Sequence, residues 1–345
     1  MSILFKDDHC FFICHKHYID KIYKKIQTES LKSYKLKEDL FNITTPYKAS
    51  RSNYNNEIDP SKSELEVDIC YVRDAYKNFQ DKLYKQDILS KPMGDSEKNI
   101  KAKLISDNIY LESTKYNVKS AFGENLIPAV REVNGSNFLF PEKCLFYSFD
   151  VNDIDQRLND KKFDLILLDP PWWNKYIRRK RKKSDSAYHM MYNDDLKNIP
   201  IEVVLKESGL VVVWCTNSQQ NLDTLINDIF KKWNVDFITK WYWLKITRFG
   251  EPICSFSKPP GKQPFEQIII GGRNIDFPQD FNKKVIVSIP SAIHSHKPPL
   301  EEILKFVLPE NAEKLEIFAR YLLNGWTSYG NEVLKLQNEI LFDVT

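Results

Sequence analysis

The amino-acid sequence predicts an α/β protein with a mainly parallel sheet that is covered by helices on both faces. From about residue 145 onward, short runs rich in β-branched residues alternate with segments of helical periodicity. The runs are FDLILL (163–168), LVVVWCT (210–216), VDFITKWYWLKI (235–246), EQIIIGG (266–272), VIVSI (285–289) and KLEIFA (314–319). Strands that alternate with helices form parallel sheets, which are buried on both faces. Because such folds bind ligands beyond the carboxyl ends of their strands, we expect the functional residues there.

The helices of this C-terminal part are predicted from the spacing of apolar residues. One helix lies between the second and third runs, where apolar residues repeat every three or four positions: Leu222, Leu225, Ile226, Ile229, Phe230 and Trp233. Another helix, LEEILKFVL, follows Pro299. We therefore predict that residues 146–345 form one domain.

Residues 1–145 are rich in Lys, Tyr, Asn and Ser and are predicted to form a largely helical N-terminal region. Two apolar stripes at helical spacing support this: Ile19, Ile22, Tyr23 and Ile26, and then Ile69, Val72, Tyr76, Phe79 and Leu83. Ser63 and Glu66 have the spacing of a capping box at the start of the second helix. We expect this region to bind nucleic acid or to pack against the second domain.

Composition narrows the class of protein. A chain of 345 residues with 42% hydrophobic residues can bury a core and is not a disordered chain. Its net charge of only +3 indicates no particular partner for the chain as a whole. The six irregularly spaced cysteines favour reduced thiols in an intracellular protein over a disulfide framework. No apolar run approaches the length of a membrane span, so we expect no membrane segment.

The stretch LILLDPPWW (165–173) carries the strongest functional signal. Two prolines end a strand well, but that structural role requires neither the carboxylate of Asp169 nor an indole. A carboxylate and a backbone carbonyl can accept both N–H groups of the adenine amine and hold its nitrogen for attack on an electrophile. Pro170 and Pro171 keep the turn rigid, and Trp172 offers a face for a base removed from its stack. This chemistry requires no metal.

The motif resembles the catalytic DPPW motif of the adenine-N6 methyltransferase family that includes the messenger-RNA N6-methyladenosine writer. The similarity continues through VVVWCTN (211–217), SHKPP (295–299) and EIFARYLLNGWTSYGNEVL (316–334), and the last segment is most similar to the branch of methyltransferase-like protein four. The resemblance covers about residues 145–340. It implies a Rossmann-like methyltransferase fold, the cofactor S-adenosylmethionine, and catalytic roles for Asp169, Pro170, Pro171 and Trp172.

The resemblance also assigns cofactor-binding residues, namely Asp150, Val151, Asp169, Lys262, Arg320, Asn331 and Glu332. Asp150 and Val151 would contact the adenine ring of the cofactor, and Lys262 would pair with its carboxylate. Taken singly, each of these residues also fits an ordinary role in a turn, a loop or a strand end. The chain departs from the messenger-RNA writer at Leu322 and Leu323, where the writer has His-Asn, so some cofactor contacts must differ.

A run of cations follows the motif directly, with seven basic residues among the nine at 175–183. A solvated loop or a nuclear-localisation signal would explain this run equally well. Beside an active site, the same cations would meet phosphates and gain affinity from counterion release. The resemblance implies substrate contact by this loop, with Arg178 and Tyr188 as the substrate-binding residues.

Together these observations predict an S-adenosylmethionine-dependent enzyme that methylates adenine N6 in nucleic acid, with RNA favoured over DNA. The branch resemblance points to 2'-O-methyladenosine of U2 small nuclear RNA, giving N6,2'-O-dimethyladenosine. We expect the protein in the nucleus, with the cytoplasm as an additional location. Two other functions stay open: DNA adenine methylation, and a non-catalytic partner, against which the intact acid and aromatic residue argue. The oligomeric state is left open, with a monomer as the simplest case.

Two aromatic or histidine-rich segments are interpreted as structural. The cluster HCFFICHKH (9–17) suggests zinc ligands, but no second pair at finger spacing follows, which favours a partly buried amphipathic segment. Trp241 and Trp243 in the third run are expected in the core rather than on a base-stacking surface.

Overall fold

The computed structural model confirms the α/β class with a large, mainly parallel central sheet. It describes residues 2–24, 26, 33–47, 58–89, 99–113, 118–173 and 190–344. The strands in this part of the chain are β1 (Ile3–Lys6), β2 (Cys10–Ile13), β3 (Tyr34–Leu36), β4 (Ala121–Asn125), β5 (Ala129–Val133), β6 (Ser136–Phe140), β7 (Cys144–Ser148), β8 (Phe163–Leu168), β9 (Leu205–Cys215), β10 (Asp236–Lys245), β11 (Phe265–Gly272), β12 (Val285–Ser288), β13 (Lys314–Ile317), β14 (Thr327–Tyr329) and β15 (Phe342–Val344).

The central sheet has 11 strands in the order β1-β2-β12-β10-β11-β9-β8-β13-β14-β7-β4. Strands β9, β8, β13, β14 and β7 run parallel to one another. Strands β2, β12 and β10 are also parallel, and β11 separates them from β9 by pairing antiparallel with both β10 and β9. Because β11 is antiparallel to both β9 and β10, these two strands run in the same direction. The carboxyl ends of all eight parallel strands therefore lie at one edge of the sheet. We call it the ligand edge.

Side chains of β8 show why the sheet is covered on both faces. Leu165 and Leu167 belong to one apolar cluster, whereas Ile166 and Leu168 belong to another. All four are at most 4% exposed. Successive side chains of a strand point to opposite faces, so a run such as FDLILL is stable only where both faces are packed. The third run follows the same alternation, and Trp241 and Trp243 are buried in the first cluster as predicted.

The α-helices in the described ranges are α1 (His15–Tyr23), α2 (Glu64–Lys85), α3 (Ile100–Ser113), α4 (Ile154–Leu158), α5 (Asn193–Lys197), α6 (Ile201–Val204), α7 (Gln219–Thr224), α8 (Phe230–Lys232) and α9 (Glu301–Leu304). A π-helical turn, Leu225–Ile229, joins α7 to α8, so the helix predicted between the second and third runs is present. None of the helices described here is long and apolar enough to cross a bilayer.

The N-terminal region was predicted to be largely helical, but it also contains several strands. Helix α2 carries the predicted apolar stripe, and the Ser63 Oγ atom accepts a hydrogen bond from the Glu66 N–H at 3.2 Å. However, β2 pairs with β12, and β4 pairs with β7. Strands from both sides of the proposed boundary at 145/146 therefore share one sheet. The short runs ILFK and CFFI give little periodic signal, which explains why strand pairing was not predicted there.

Strand β13 ends two residues earlier than the predicted run KLEIFA because the backbone turns at Phe318. This residue has a φ of +64°, which side chains other than glycine rarely adopt. Gly330 has a φ of +142°, and a Cβ atom there would lie 3.2 Å from the Cα atom of Phe318. A larger residue at 330 would therefore crowd Phe318. Strained backbone of this kind is often found beside functional sites.

Candidate active site

The DPPW motif forms a hydrogen-bonded corner at the ligand edge, immediately after β8. The backbone carbonyl of Pro170 accepts a hydrogen bond from the Trp172 N–H at 2.8 Å. The carbonyl of Pro171 accepts another from the Met191 N–H at 2.8 Å. The two prolines donate no backbone hydrogen bond themselves, so they end the strand without leaving an unpaired N–H. This corner fixes the position of Asp169.

Trp172 is a buried structural residue in this corner. Its side chain is only 6% exposed and packs with the second apolar cluster. The indole Nε1–H donates a 2.8 Å hydrogen bond to the carbonyl of Trp214, at the end of β9. The open stacking face expected from the sequence is therefore covered by the core. The neighbouring Trp173 is partly exposed, and its ring stacks on Tyr192 with the centroids 6.2 Å apart.

Asp169 is one end of a row of alternating charges. Its Oδ1 atom lies 3.5 Å from Nζ of Lys297, and the two side chains are 15% and 12% exposed. Lys297 also pairs with Glu266, which pairs in turn with Lys245. Lys245 ends β10 and Glu266 lies in β11, so the row crosses from one half of the sheet to the other. Lys297 additionally lies 5.0 Å from the ring centroid of Trp214, a cation–π distance.

The charges in this row shift one another's pKa. Burial raises the pKa of Asp169, although the positive charges of Lys297 and Arg320 oppose the rise. Burial lowers the pKa of Lys297, but the charges of Asp169 and Glu266 outweigh that effect and leave its pKa above the ordinary value. Burial would raise the pKa of Glu266, yet Lys245 and Lys297 hold it well below the ordinary value. The site thus combines a desolvated carboxyl group with a firmly protonated lysine.

Sequence reasoning did not single out Lys297, although SHKPP was recognised as a motif. The resemblance instead gave the cofactor-binding lysine as Lys262, which is exposed and lies 5.7 Å from the ring centroid of Tyr47. Among the lysines that the structure describes, Lys297 pairs with Asp169, at 3.5 Å. The motif SHKPP marked the segment that contains Lys297, but the sequence did not show that this lysine lies beside Asp169.

Arg320 and Glu332 are brought together as the resemblance implied. The Arg320 Nε–H donates a 3.0 Å hydrogen bond to Oε2 of Glu332, and Lys335 pairs with Oε1 of the same carboxylate at 2.6 Å. Arg320 follows the turn at Phe318, which redirects the chain after β13. Asn331 is exposed beside Glu332, two residues after the end of β14. These side chains provide a cation, a carboxylate and an amide at the ligand edge, and the charge of Arg320 acts on the pKa of Asp169.

Asp150 and Val151 follow β7, beside the end of β14. The carbonyl of Asp150 accepts a 3.0 Å hydrogen bond from the Tyr329 hydroxyl, and the Gly330 N–H donates to the carbonyl of Tyr147 at 3.0 Å. The Asp150 side chain is exposed and accepts from the backbone N–H two residues later, whereas Val151 is 5% exposed and packs in the core. These two residues therefore lie on the same edge as Asn331, at the far side from Lys297.

Glu316 is a further buried carboxyl group that sequence reasoning did not identify. It is 7% exposed in β13, and burial, reinforced by Asp169, raises its pKa to about 8 although Arg320 opposes the shift. Among the residues that the structure describes, its Oε2 atom has no hydrogen-bond partner, and neither has Oγ of Ser328, its register partner on β14. The only signal in the sequence was an acidic residue between the apolar residues Leu315 and Ile317.

Comparison with known proteins identifies a family that matches the part of the chain containing Asp169. Residues 163–332 match the MT-A70 family model, from the first residue of β8 to Glu332. This region belongs to the MT-A70 family. The resemblance to adenine-N6 methyltransferases, near the METTL4 branch, is thereby confirmed. The matched range of this MT-A70 region includes Asp169, Lys297 and Arg320 but leaves out Asp150 and Val151.

Individual relatives agree with the family. The chain is 38% identical over 217 residues to the human "N(6)-adenine-specific methyltransferase METTL4", covering 59% of this chain and 44% of that protein. It is 36% identical over 220 residues to a "DNA N6-methyl methyltransferase" of Caenorhabditis elegans, covering 62% and 58%. It is 36% identical over 186 residues to the "N6-methyladenosine RNA methyltransferase MTA1" of Pyricularia oryzae, covering 51% and 48%. The chain thus spans about half the length of these relatives.

Two predicted substrate residues lie outside the described part of the chain. Arg178 and Tyr188 belong to residues 174–189, which the structure does not describe. Their proposed contact with nucleic acid, like the role of the basic run, stays a prediction. The MT-A70 region on either side of them is described, from Phe163 to Trp173 and again from residue 190.

Proposed function

We propose that this protein transfers a methyl group from S-adenosylmethionine to N6 of adenine in nucleic acid, with RNA as the preferred polymer. The position of Asp169 carries the proposal. It is a largely buried carboxyl group at the ligand edge, held by the proline corner and 3.5 Å from Lys297. A site of this kind offers hydrogen-bond acceptors at a fixed position, with water mostly excluded, as binding of an aromatic amine requires.

The residues around Asp169 fit S-adenosylmethionine. Lys297 and Arg320 are cations that suit the cofactor's carboxylate, while Asn331 and Glu332 suit its ribose hydroxyls. The buried Oε2 atom of Glu316 has no hydrogen-bond partner among the described residues, which independently indicates that the site is built for a polar ligand. When bound, the cofactor supplies an electrophilic methyl group on a sulfonium centre.

The chain's own groups would position the adenine amine for attack. One N–H would donate to the carboxylate of Asp169 and the other to the carbonyl of Pro170. That carbonyl already accepts the Trp172 N–H, but a carbonyl oxygen has a second lone pair. The negative charge of Asp169 stabilises the positive charge that develops on the nitrogen, and the rigid corner needs no reorganisation during the reaction. Lys297 opposes protonation of Asp169 and so keeps the acceptor available.

We further propose 2'-O-methyladenosine of U2 small nuclear RNA as the target and the nucleus as the place of action. The resemblance of residues 316–334 to the branch of methyltransferase-like protein four supports this choice, and the human and mouse METTL4 relatives are named as N6-adenine-specific methyltransferases. DNA is the second candidate substrate, and similarity to the Caenorhabditis elegans DNA methyltransferase favours it. Discrimination between the polymers requires contacts to the 2'-position of the sugar.

The test is methyl transfer to matched oligonucleotides that contain adenosine, 2'-O-methyladenosine or deoxyadenosine, read by mass spectrometry of the released nucleosides. Wild-type protein is expected to form N6-methylated product most rapidly on the 2'-O-methyladenosine RNA. Asp169→Ala is expected to abolish transfer but to retain oligonucleotide binding, whereas Asp236→Ala, at an exposed position on the opposite edge, is expected to retain both.

Three results would contradict the proposal. Activity retained in Asp169→Ala would remove the role assigned to this residue. A preference for the DNA substrate would replace the RNA assignment. Absence of both S-adenosylmethionine binding and methyl transfer in the wild-type protein would favour the non-catalytic alternative.

A further inference from the structure

The segment that joins β10 to β11, residues 246–264, leaves the sheet at the ligand edge. Strand β10 ends there at Lys245, and β11 begins there at Phe265 because the two strands are antiparallel. Lys245 and Glu266, at the base of the segment, belong to the row of charges that ends at Asp169. We call residues 246–264 the β10–β11 loop. Its position places it beside the proposed methyl-transfer site.

The N-terminal region holds the β10–β11 loop in place. From helix α2, the hydroxyl of Tyr76 and the amide of Gln80 both donate to the carbonyl of Gly250. From the segment before residue 48, the carbonyl of Ile43 accepts the Arg248 N–H at 2.7 Å, and the Tyr47 N–H donates to the carbonyl of Ile253 at 2.7 Å. The loop is therefore not free to move independently of the N-terminal region. Tyr47 becomes part of the loop surface.

The surface made by Tyr47 and this loop combines an aromatic ring with cations. Tyr47 is 44% exposed, and Nζ of the exposed Lys262 lies 5.7 Å from its ring centroid. Arg248 is also exposed, and the loop contains three basic residues, Arg248, Lys258 and Lys262, against one acid, Glu251. In the described part of the chain, no carboxylate lies within salt-bridge distance of the Lys262 ammonium group.

We propose that Tyr47 and Lys262 form a binding surface for single-stranded nucleic acid, on which a nucleotide flanking the target adenine stacks. Every nucleobase offers a π-face that can lie on an exposed tyrosine, and a lysine beside the ring can meet the adjacent phosphate. The location at the ligand edge connects this surface with the site at Asp169. The inference rests on the proposed function, gives it a substrate-binding element from the N-terminal region, and assigns Lys262 to the polymer instead of the cofactor.

The inference is tested by binding of the full chain to a fluorescent single-stranded RNA of about ten nucleotides, a length within the usual site size of single-strand binders. Tyr47→Ala is expected to weaken binding about tenfold, whereas Tyr47→Phe retains the ring and is expected to bind like the wild type. Lys262→Gln is expected to lower the slope of log affinity against log salt concentration by about one phosphate contact.

The matched pair Lys305 and Phe306, on the side of the sheet opposite the ligand edge, provides the control. Phe306 is 43% exposed, and Nζ of Lys305 lies 5.5 Å from its ring centroid. Phe306→Ala and Lys305→Gln therefore remove the same kinds of group, and both are expected to leave RNA binding unchanged. Thermal unfolding of each variant checks that it is folded.

Two outcomes separate the inference from the function on which it rests. Methyl transfer by wild-type protein, measured on the same RNA, tests the function alone. Tyr47→Ala that binds as tightly as wild type, while the wild type methylates the RNA, would overturn only the inference. Tyr47-dependent binding without any methyl transfer would overturn the proposed activity and leave the binding surface standing.

Discussion

Replacement of Glu316 by glutamine is expected to change how the stability of the protein depends on pH. The carboxyl group is 7% exposed, and burial, reinforced by Asp169, raises its pKa from the ordinary 4.5 to about 8, although Arg320 opposes the rise. Between these two values the folded protein keeps a proton that the unfolded chain has released. The stabilisation from this group is therefore complete below about pH 4.5 and is lost as the pH rises through about 8.

The size of the effect follows from the width of this pH window. A difference of one bound proton between the folded and unfolded states changes the free energy of unfolding by about 1.4 kcal/mol per pH unit. From the ordinary pKa up to neutral pH, the wild type would lose about 3 kcal/mol relative to a protein in which residue 316 does not titrate. That is a substantial part of the roughly 5–15 kcal/mol of stability typical of a folded protein.

Denaturant unfolding of wild type and Glu316→Gln, followed by circular dichroism at several pH values, measures this difference. Between about pH 5 and pH 7 the stability of the variant relative to wild type is expected to rise by about 1.4 kcal/mol per unit. The slope is the informative quantity, because the amide also adds a donor whose fixed cost does not vary with pH. Glu207→Gln, whose side chain is 86% exposed, gives the baseline for an accessible carboxylate. Parallel curves for Glu316→Gln and wild type would refute the reasoning.

Three other substitutions test the site. Asp169→Asn is expected to lower methyl transfer at least about a hundredfold, and activity near wild type in a nucleoside assay would contradict this. The same substitution is expected to leave the free energy of unfolding unchanged or higher, because it removes a desolvated carboxyl group. Trp172→Ala is expected to lower the free energy of unfolding, measured by urea denaturation, by about 3–5 kcal/mol, because it empties a core position and removes the hydrogen bond to Trp214. A loss below about 1 kcal/mol would show that the indole is not packed. Glu266→Gln is expected to cost about 3 kcal/mol, because Lys245 and Lys297 both lose the carboxylate that lies between them. An unchanged urea midpoint would count against the charge row.

Local patterning was sufficient to predict most of the C-terminal strands. The run FDLILL corresponds residue for residue to β8, because a strand packed on both faces is apolar at nearly every position. The order and direction of strands were less accessible. Strand β11 runs antiparallel between β10 and β9, which depends on contacts between distant segments and leaves no local trace in EQIIIGG. For the same reason, the pairing of β2 with β12 was not anticipated.

Some active-site residues could be predicted from the sequence, whereas others are identified only by their neighbours in the folded structure. Asp169 was predicted from the DPPW motif, and Arg320 from the resemblance of the segment EIFAR to the methyltransferase family. Lys297 and Glu316 depend on three-dimensional neighbours: one approaches Asp169 from a segment far along the chain, and the other is aligned with Ser328 by strand register. Trp172 illustrates the opposite error, since a residue type suited to base stacking is used here to fill the core.

The N-terminal region contributes to the candidate site through the sheet itself. Strand β2 covers the edge of β12, and the apolar cluster shared by α2, β10 and β12 includes Val72, Tyr242 and Val285. Without β2, the edge of β12 would be exposed, and unpaired strand edges invite association with other chains. Without α2, the β10–β11 loop would lose the side chains that bond to Gly250. The charge row that begins at Lys245 is anchored at the base of this loop, so the geometry around Asp169 depends on residues before position 145 as well as on the MT-A70 region.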